Sequence, residues 1–262
     1  MNLPTYFCKK VGRRLEYWQR RLFSETLRKL GYSSHTVKVQ GALFVVDTTD
    51  LIGRRLAWRG IWEGMQLELL ADICARTKPD CFLDIGANIG VYSVMLIAKN
   101  LVPEIVAFEP DPGNYAHLLA NLHVNGLVGK VKAYPIAVGS SAGEVTLMEA
   151  GPQNRGESWI VHADQPPEEA PGVATHTVKQ IRFDDEFSYS GKTLVIKMDV
   201  EGSEFHALRG MERTLHDNRC YLQVELYSNR LEELKALFAR LGYRFLHTYG
   251  IDHFFTNIQG LE

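Results

Sequence analysis

A doubly wound α/β fold is what this sequence predicts, and three observations predict it. From residue 81 onward, strand-like and helix-like stretches alternate. Each strand is a continuous apolar run, as in a parallel sheet covered on both faces. The first strand, Phe82-Leu83-Asp84-Ile85, runs through the glycine turn Gly86-Ala87-Asn88-Ile89-Gly90 directly into a helix. The 262 residues are 45% hydrophobic and 23% charged, which excludes disorder and collagen-like repetition and suits one core with an appendage.

The appendage comes first. Residues 9–30 place Val11, Leu15, Trp18, Leu22, Leu27 and Leu30 at mostly helical spacing among basic residues, predicting a basic amphipathic helix. Its face either lies on the core or meets a partner protein or anionic membrane surface. A short strand, Ala42-Leu43-Phe44-Val45-Val46, leads through Asp47-Thr48-Thr49-Asp50 to a helical pattern in Met65, Leu67, Leu69, Leu70, Ile73 and Cys74. Strands are then expected over 81–85, 104–109, 131–138, 193–200 and 221–226, with helices over 91–98, 114–125, 204–216 and 230–241. Stretches 243–249 and 252–258 flank Gly250-Ile251, a turn that would add an antiparallel C-terminal hairpin. Residues 150–192 carry Pro152, Pro166, Pro167, Pro171 and Glu168-Glu169, and are expected to form a long loop or lid. The expected division is a basic segment over 1–60 and a ligand-binding domain over 61–262.

Charge supports that division. Residues 1–60 hold 12 Lys/Arg against 4 Asp/Glu, leaving 17 against 27 in the remainder and a net charge of −2 overall. That balance argues against a dedicated nucleic-acid binder. Cys8, Cys74, Cys81 and Cys220 form no CxxC pair, so reduced thiols in a cytoplasmic protein are expected. The N-terminus lacks an apolar signal core, and no window approaches the length of a membrane span.

The chemistry begins at the glycine turn. Glycine lets a ligand approach closely, and the helix behind supplies free N–H groups. The pattern departs from the dinucleotide fingerprint because Asn88 replaces the middle glycine and Asp84 precedes the loop. An acidic residue there would repel a pyrophosphate and suit a cationic, sulfonium-type cofactor better than NAD. Glu109 ends the second strand 19 residues past Gly90, where a ribose diol is bound in such folds. Each residue also has a structural reading: Asp84 as a helix cap, the glycines as backbone geometry, Glu109 as a solvent-facing acid.

The phrases FLDIGANIGVYS, VAFEPDPGNYAHLLANLHVNG, AVG at 137–139, NRGES at 154–158, IKMDVEGSEFHALRG and VEL at 224–226 occur in this order. Together they resemble the FkbM-type S-adenosylmethionine-dependent methyltransferases over about residues 40–258. Ile196 to Glu204 is the most specific element; Ser203 stands where Ala is common, and the basic N-terminal helix is not part of the pattern. The resemblance implies a Rossmann-like class I methyltransferase with a mostly parallel seven-stranded sheet. It also implies S-adenosyl-L-methionine as cofactor and methyl transfer to a hydroxyl of a sugar, glycan or related metabolite. Expected cofactor-binding residues are Glu63, Asp84, Gly86, Asn88, Gly90, Glu109, Pro110, Ala137 and Asp199.

An aliphatic hydroxyl attacks poorly unless a base takes its proton in the transition state. Asp199, at the carboxyl end of a core strand, is the leading base or substrate-orienting residue. Glu201 is a second base or a metal ligand, and Lys197, on the same sheet face as Asp199, pairs with a carboxylate or touches the acceptor. His206 is a base or a solvent-facing helix residue. Glu204, after a Ser203 N-cap, is better explained by the helix terminus. With Asp199 and Glu201, Glu225 completes an oxygen set suited to Mg²⁺ or Ca²⁺, unless the three carboxylates share Lys197. Trp62-Glu63 either closes over the methionine part of the cofactor or belongs to the core. Two other classes compete: a noncatalytic cofactor-binding module recruited through the basic helix, and an NAD(P)-dependent oxidoreductase.

Overall fold

The computed structural model describes residues 3–151, 153–162 and 173–261, with side chains in the first helix from Arg14 on. That helix, α1 (Leu3–Lys29), precedes a two-stranded hairpin, β1 (Ser34–Val39) and β2 (Ala42–Asp47), and then α2 (Leu51–Arg59) and α3 (Gly64–Thr77). Asp50 starts α2 by accepting from the backbone N–H groups of Ile52 and Gly53 at 2.8 and 3.1 Å, a side-chain N-cap. The β1 strand escaped the sequence reading because its apolar positions, Val37 and Val39, are few and Ser34, Thr36 and Lys38 are exposed.

The core follows with β3 (Cys81–Ile85), α4 (Val91–Ala98), β4 (Ile105–Phe108), α5 (Pro112–Val124) and β5 (Val131–Tyr134). Next come β6 (Ala137–Gly139), β7 (Gly143–Met148), β8 (Trp159–Val161), β9 (Thr175–Arg182) and α6 (Phe183–Glu186). The chain ends with β10 (Thr193–Met198), α7 (Glu204–Gly210), α8 (Glu212–Asp217), β11 (Arg219–Glu225), α9 (Leu231–Arg240), β12 (Arg244–Tyr249) and β13 (Asp252–Thr256). The central sheet has seven strands in the order β12-β13-β11-β10-β3-β4-β5. Its strands are parallel except in the C-terminal hairpin, where β13 pairs antiparallel with both β11 and β12. The fold is the doubly wound α/β class with the antiparallel ending.

Burial on both faces explains the continuous apolar runs. Along β3, Phe82 enters one hydrophobic layer while Cys81, Leu83 and Ile85 enter the other. A polar row interrupts this at the carboxyl end of the sheet: Asp84, Lys197 and Gln223 are in register on adjacent strands and all buried. Such a row needs a reason, because buried polar groups cost several kcal/mol unless partnered.

Three expectations are corrected. The strand over 131–138 is two strands in two sheets, β5 and β6, because Pro135 lacks the N–H that would continue the ladder. Residues 150–192 are not one loop. They contribute β8 and β9 to a four-stranded sheet of order β6-β9-β7-β8, whose residues alternate between exposed and buried. Pro152, Pro166, Pro167, Glu168, Glu169 and Pro171 lie outside the described residues. The helix over 204–216 is broken at Met211 into α7 and α8. Among the described residues no helix is long and apolar enough to cross a membrane.

Candidate active site

The ends of β3, β4 and β10 converge behind the glycine turn. Gly86 N–H and Ala87 N–H both donate to the Phe108 carbonyl at 2.9 Å, and Asp199 N–H donates to the Ile85 carbonyl at 2.9 Å. Gly86 has φ +79°, and a Cβ there would stand 1.6 Å from the Asp199 carbonyl oxygen, so only glycine lets these two strand ends close. Gly90 has another task. A Cβ on it would meet Leu118 at 2.4 Å, so it seats α4 on α5 and, contrary to expectation, lines no cleft.

Asp84 is corrected in the same sense. It is fully buried beneath the turn, where Oδ2 accepts from the Ser93 hydroxyl at 2.6 Å and Oδ1 has no partner. Burial pushes its carboxyl upward against the pull of nearby Lys197. Its position is that of a group under the site rather than in it.

On one side of the turn a slot, open to solvent, is lined by Gly86, Asn88, Phe108, Glu109, Pro110, Ile136, Ala137, Leu147 and Ile160. Glu109 Oε2 accepts from Asn88 N–H at 2.7 Å and Oε1 from Asp111 N–H at 2.9 Å. Burial nevertheless pushes its carboxyl up to about 8, the two N–H groups opposing the shift. Each oxygen keeps a further acceptor position, so the pair can take both hydroxyls of a diol. A slot with apolar walls at Phe108, Pro110, Ile136, Ala137, Leu147 and Ile160 and the Glu109 carboxylate at the end of the second strand suits an adenosyl group. Leu147 and Ile160 come from the second sheet, which the sequence reading did not resolve.

On the other side lies a cleft of about 1010 Å³, and it is polar. Trp62, Glu63, Gln66, Tyr92, Lys197, Asp199, Glu201, Glu225, Tyr227 and Asp252 line it, with Arg55 and Glu157 at its wall. Glu63 accepts from the Tyr92 hydroxyl at 2.7 Å, and the Lys197 ammonium sits 5.1 Å from the Tyr92 ring centre. Lys197 donates to Asp199 Oδ2 at 3.0 Å. Burial opposes the Lys197 charge, but Asp199, Asp84, Glu63 and Glu225 outweigh it and hold the ammonium above its ordinary value. This is the reason for the buried polar row: one cation compensates several acids.

The turn after β10 aims a second acid into the same space. Glu201 holds φ +48° and Gly202 φ +93°, a left-handed pair that carries strain at the glutamate. Carboxylate oxygens of Asp199, Glu201 and Glu225 all lie within 4.8 Å of one another. Burial, then the Asp199 charge, pushes Glu201 up to about 9 and Glu225 up to about 8. The slot and the cleft meet: Asn88, Gly156, Asp199 and Glu201 line both.

Gly156 belongs to a segment pinned to the body. Arg155 N–H donates to Asp50 at 3.0 Å, the Asn114 amide donates to the Arg155 carbonyl at 3.2 Å, and Ser158 Oγ donates to Asp111 at 3.0 Å. Two expected residues stand elsewhere. His206 stacks flat on His162 with ring centres 3.7 Å apart and lines neither cleft, which corrects its expected role as base. Ser203 occupies the N-cap position without capping, because its hydroxyl bonds His162 Nε2 at 2.8 Å. Glu204 turns back to accept from Gly202 N–H at 2.9 Å.

Tyr92, Gln66, Tyr227 and Asp252 are cleft residues that the sequence reading missed. Asp252 was detectable: antiparallel pairing of the C-terminal hairpin with β11 sets it opposite Glu225, and Gln66 and Gln223 donate to its two oxygens at 3.0 and 2.7 Å.

Comparison with known proteins agrees with the fold. The Methyltransferase FkbM domain model matches residues 84–245. Methyltransferase sdnD of Sordaria araneosa is 30% identical over 166 residues, 54% of this chain and 64% of its own length. Hexuronic acid methyltransferase AglP of Haloferax volcanii is 29% identical over 190 residues, 71% of each chain. A crystal structure of Methyltransferase FkbM from Methylobacillus flagellatus KT is 19% identical with a TM-score of 0.47, covering 68% of this chain and 43% of that one. The chain thus spans less than two thirds of sdnD and of the Methylobacillus protein.

Proposed function

Because the chain belongs to the FkbM methyltransferase family, we propose that it moves the methyl group of S-adenosyl-L-methionine to a hydroxyl of an uncharged or cationic sugar, glycan or related metabolite. The observation that carries this reading is the junction of an adenosyl-shaped slot and a polar cleft at Asn88, Gly156, Asp199 and Glu201. In such a layout a methyl donor bound through its adenosine reaches an acceptor bound in the cleft. When bound, the cofactor supplies an electrophilic methyl on a sulfonium.

The chain's own residues supply the rest. Glu109 holds the ribose, Pro110 and Ala137 bound the slot, and Glu63 faces the methionine part across the turn. Asp199, held in orientation by Lys197 at 3.0 Å, would take the acceptor hydroxyl's proton during the transfer. Burial and the Asp199 charge hold Glu201 and Glu225 toward their protonated forms, which limits repulsion among the three carboxylates that would flank a cationic sulfonium. The same three carboxylates are the set that Mg²⁺ or Ca²⁺ would require, but Lys197 already gives Asp199 a cation. Buried free thiols at Cys74, Cys81 and Cys220 are in keeping with a cytoplasmic enzyme.

Acceptor charge follows from the lining. With Glu63, Glu201 and Glu225 held toward their protonated forms by burial, Glu157, Asp199 and Asp252 stand against Arg55 and Lys197, a small acidic excess that leans away from an acceptor carboxylate. AglP is named for a hexuronic acid; this cleft favours a different acceptor charge. The test is methyl transfer from labelled cofactor to panels of neutral sugars, amino sugars and hexuronic acids, with and without EDTA. Incorporation into neutral or amino sugars, insensitive to EDTA, supports the reading. Preference for the uronic acids overturns the assignment of an uncharged or cationic acceptor, and activity that follows added Mg²⁺ moves the three carboxylates to a metal role.

A further inference from the structure

The first helix lies on the protein with its polar side inward and its apolar side outward. Ser24 is buried and bonds His35 Nε2 at 3.1 Å, Arg20 donates to the Lys38 carbonyl at 3.1 Å, and the Arg21 guanidinium sits 4.9 Å from the Trp58 ring centre on α2. These contacts fix the inner face. At about 100° per residue, Leu15 and Leu22 then point roughly 160–180° away from Ser24, and Trp18, Phe23 and Leu30 about 100–120° to either side. Their exposures agree: Leu15 59%, Trp18 51%, Leu22 68%, Phe23 60% and Leu30 67%. A helix that packs on a domain ordinarily buries its apolar stripe, so this stripe is reserved for something outside the chain.

Charge selects the occupant. Arg14, Arg28 and Lys29 are exposed on the Trp18 side of the helix, about 80°, 40° and 140° from Ser24, and residues 1–60 carry 12 Lys/Arg against 4 Asp/Glu while the remainder is acidic. An anionic surface attracts the helix side and repels the opposite side, which orients the molecule. We propose that α1 lays its outer face on an anionic lipid bilayer, with Leu15, Trp18 and Leu22 in the acyl boundary and Arg14, Arg28 and Lys29 at the headgroups. The helix is an interfacial one: no span is involved, and the polar inner face stays on the protein. Because α2 both packs on α1 and gives Leu51, Ile52 and Arg55 to the cleft wall, docking holds the cleft beside the membrane. This inference does not depend on the methyltransferase reading.

Co-sedimentation of the full chain with vesicles of phosphatidylcholine, with and without phosphatidylglycerol, tests it. Binding is expected only with phosphatidylglycerol and should weaken as salt is raised. Neutralising Arg14, Arg28 and Lys29 to Gln should weaken binding about fivefold per charge, on the order of a hundredfold together. The triple change Leu15→Ser, Trp18→Ser, Leu22→Ser should abolish binding while leaving the protein folded with little change in thermal midpoint, because Leu15 and Leu22 are largely in solvent and the half-exposed Trp18 makes its ring contacts within its own helix, at Tyr17 and Arg21. Sedimentation no greater than without lipid overturns the proposal, as does retained binding by the Ser triple. Self-association of lipid-free protein that the Ser triple removes also overturns it, assigning the stripe to a second copy.

Discussion

Replacing Glu109 with Gln removes one charge from the adenosyl slot and leaves its shape in place. In the free protein burial holds this carboxyl up to about 8, although Asn88 and Asp111 each donate a backbone N–H to it. A ribose diol donates to the ionised form, so binding first requires loss of the proton. At about pH 7, roughly one unit below that value, this step weakens binding about tenfold relative to the plateau, or ~1.4 kcal/mol. Affinity for S-adenosylhomocysteine should therefore rise from about pH 6 and level off above about pH 8 to 9. On the plateau Glu109→Gln should bind more weakly by about 1–3 kcal/mol, the net worth of charge-assisted hydrogen bonds, and the gap should shrink as pH falls. Calorimetric titration of both proteins across this range reads the effect, and the ratio between them cancels titration of the ligand's own amino group. A thermal melt confirms that the variant is folded. A ratio that stays constant with pH would refute the link between the buried carboxylate and the ribose; equal affinities at every pH would remove Glu109 from the site.

The other expectations follow from the same geometry. Asp199→Asn keeps size but removes the charge paired with Lys197, so turnover should fall roughly 10²-fold or more with cofactor affinity little changed; near-normal turnover at saturating acceptor excludes Asp199 as base. Gly86→Ala places a Cβ 1.6 Å from the Asp199 carbonyl at φ +79°, so a loss of about 3 kcal/mol or more in denaturant unfolding is expected, and a loss within error contradicts the described approach of the strands. Glu201 has a folded value of about 9 against an ordinary 4.5, so its protonated form favours the folded state. The stability it contributes is full below about pH 4.5 and is lost as pH rises toward 9; Glu201→Gln should flatten that decline in melting temperature, and an unchanged profile argues against burial as the cause.

The parallel sheet was legible because its strands are buried on both faces. Cys81 to Ile85, Ile105 to Phe108 and Thr193 to Met198 read as mostly apolar runs between helices, broken only near their carboxyl ends by Asp84 and Lys197. The second sheet was hidden for the opposite reason: β7 and β9 alternate with exposed polar residues, and β8 has three residues. Among site residues, Glu109 and Asp199 stood out because strand ends in this topology face the crevice. The limits were equally physical. A motif gives the order of residues along a turn but not their depth, which is why Asp84 lies buried against Ser93, Gly90 against Leu118 and His206 on His162. Tyr92 meets Glu63, and Asp252 meets Gln66 and Gln223, only through tertiary packing across 29 to 186 residues. Amphipathicity revealed that α1 has an apolar stripe; only packing shows that the stripe faces outward.

A crystal structure with S-adenosylhomocysteine tests the central claim most directly. The account predicts both ribose hydroxyls within about 2.6–3.0 Å of the Glu109 carboxylate, the adenine between Pro110, Ile136 and Ala137, and the sulfur at the junction bounded by Asn88, Gly156, Asp199 and Glu201. A ligand whose ribose lies away from Glu109, or whose sulfur faces away from the Asp199 side, would contradict it.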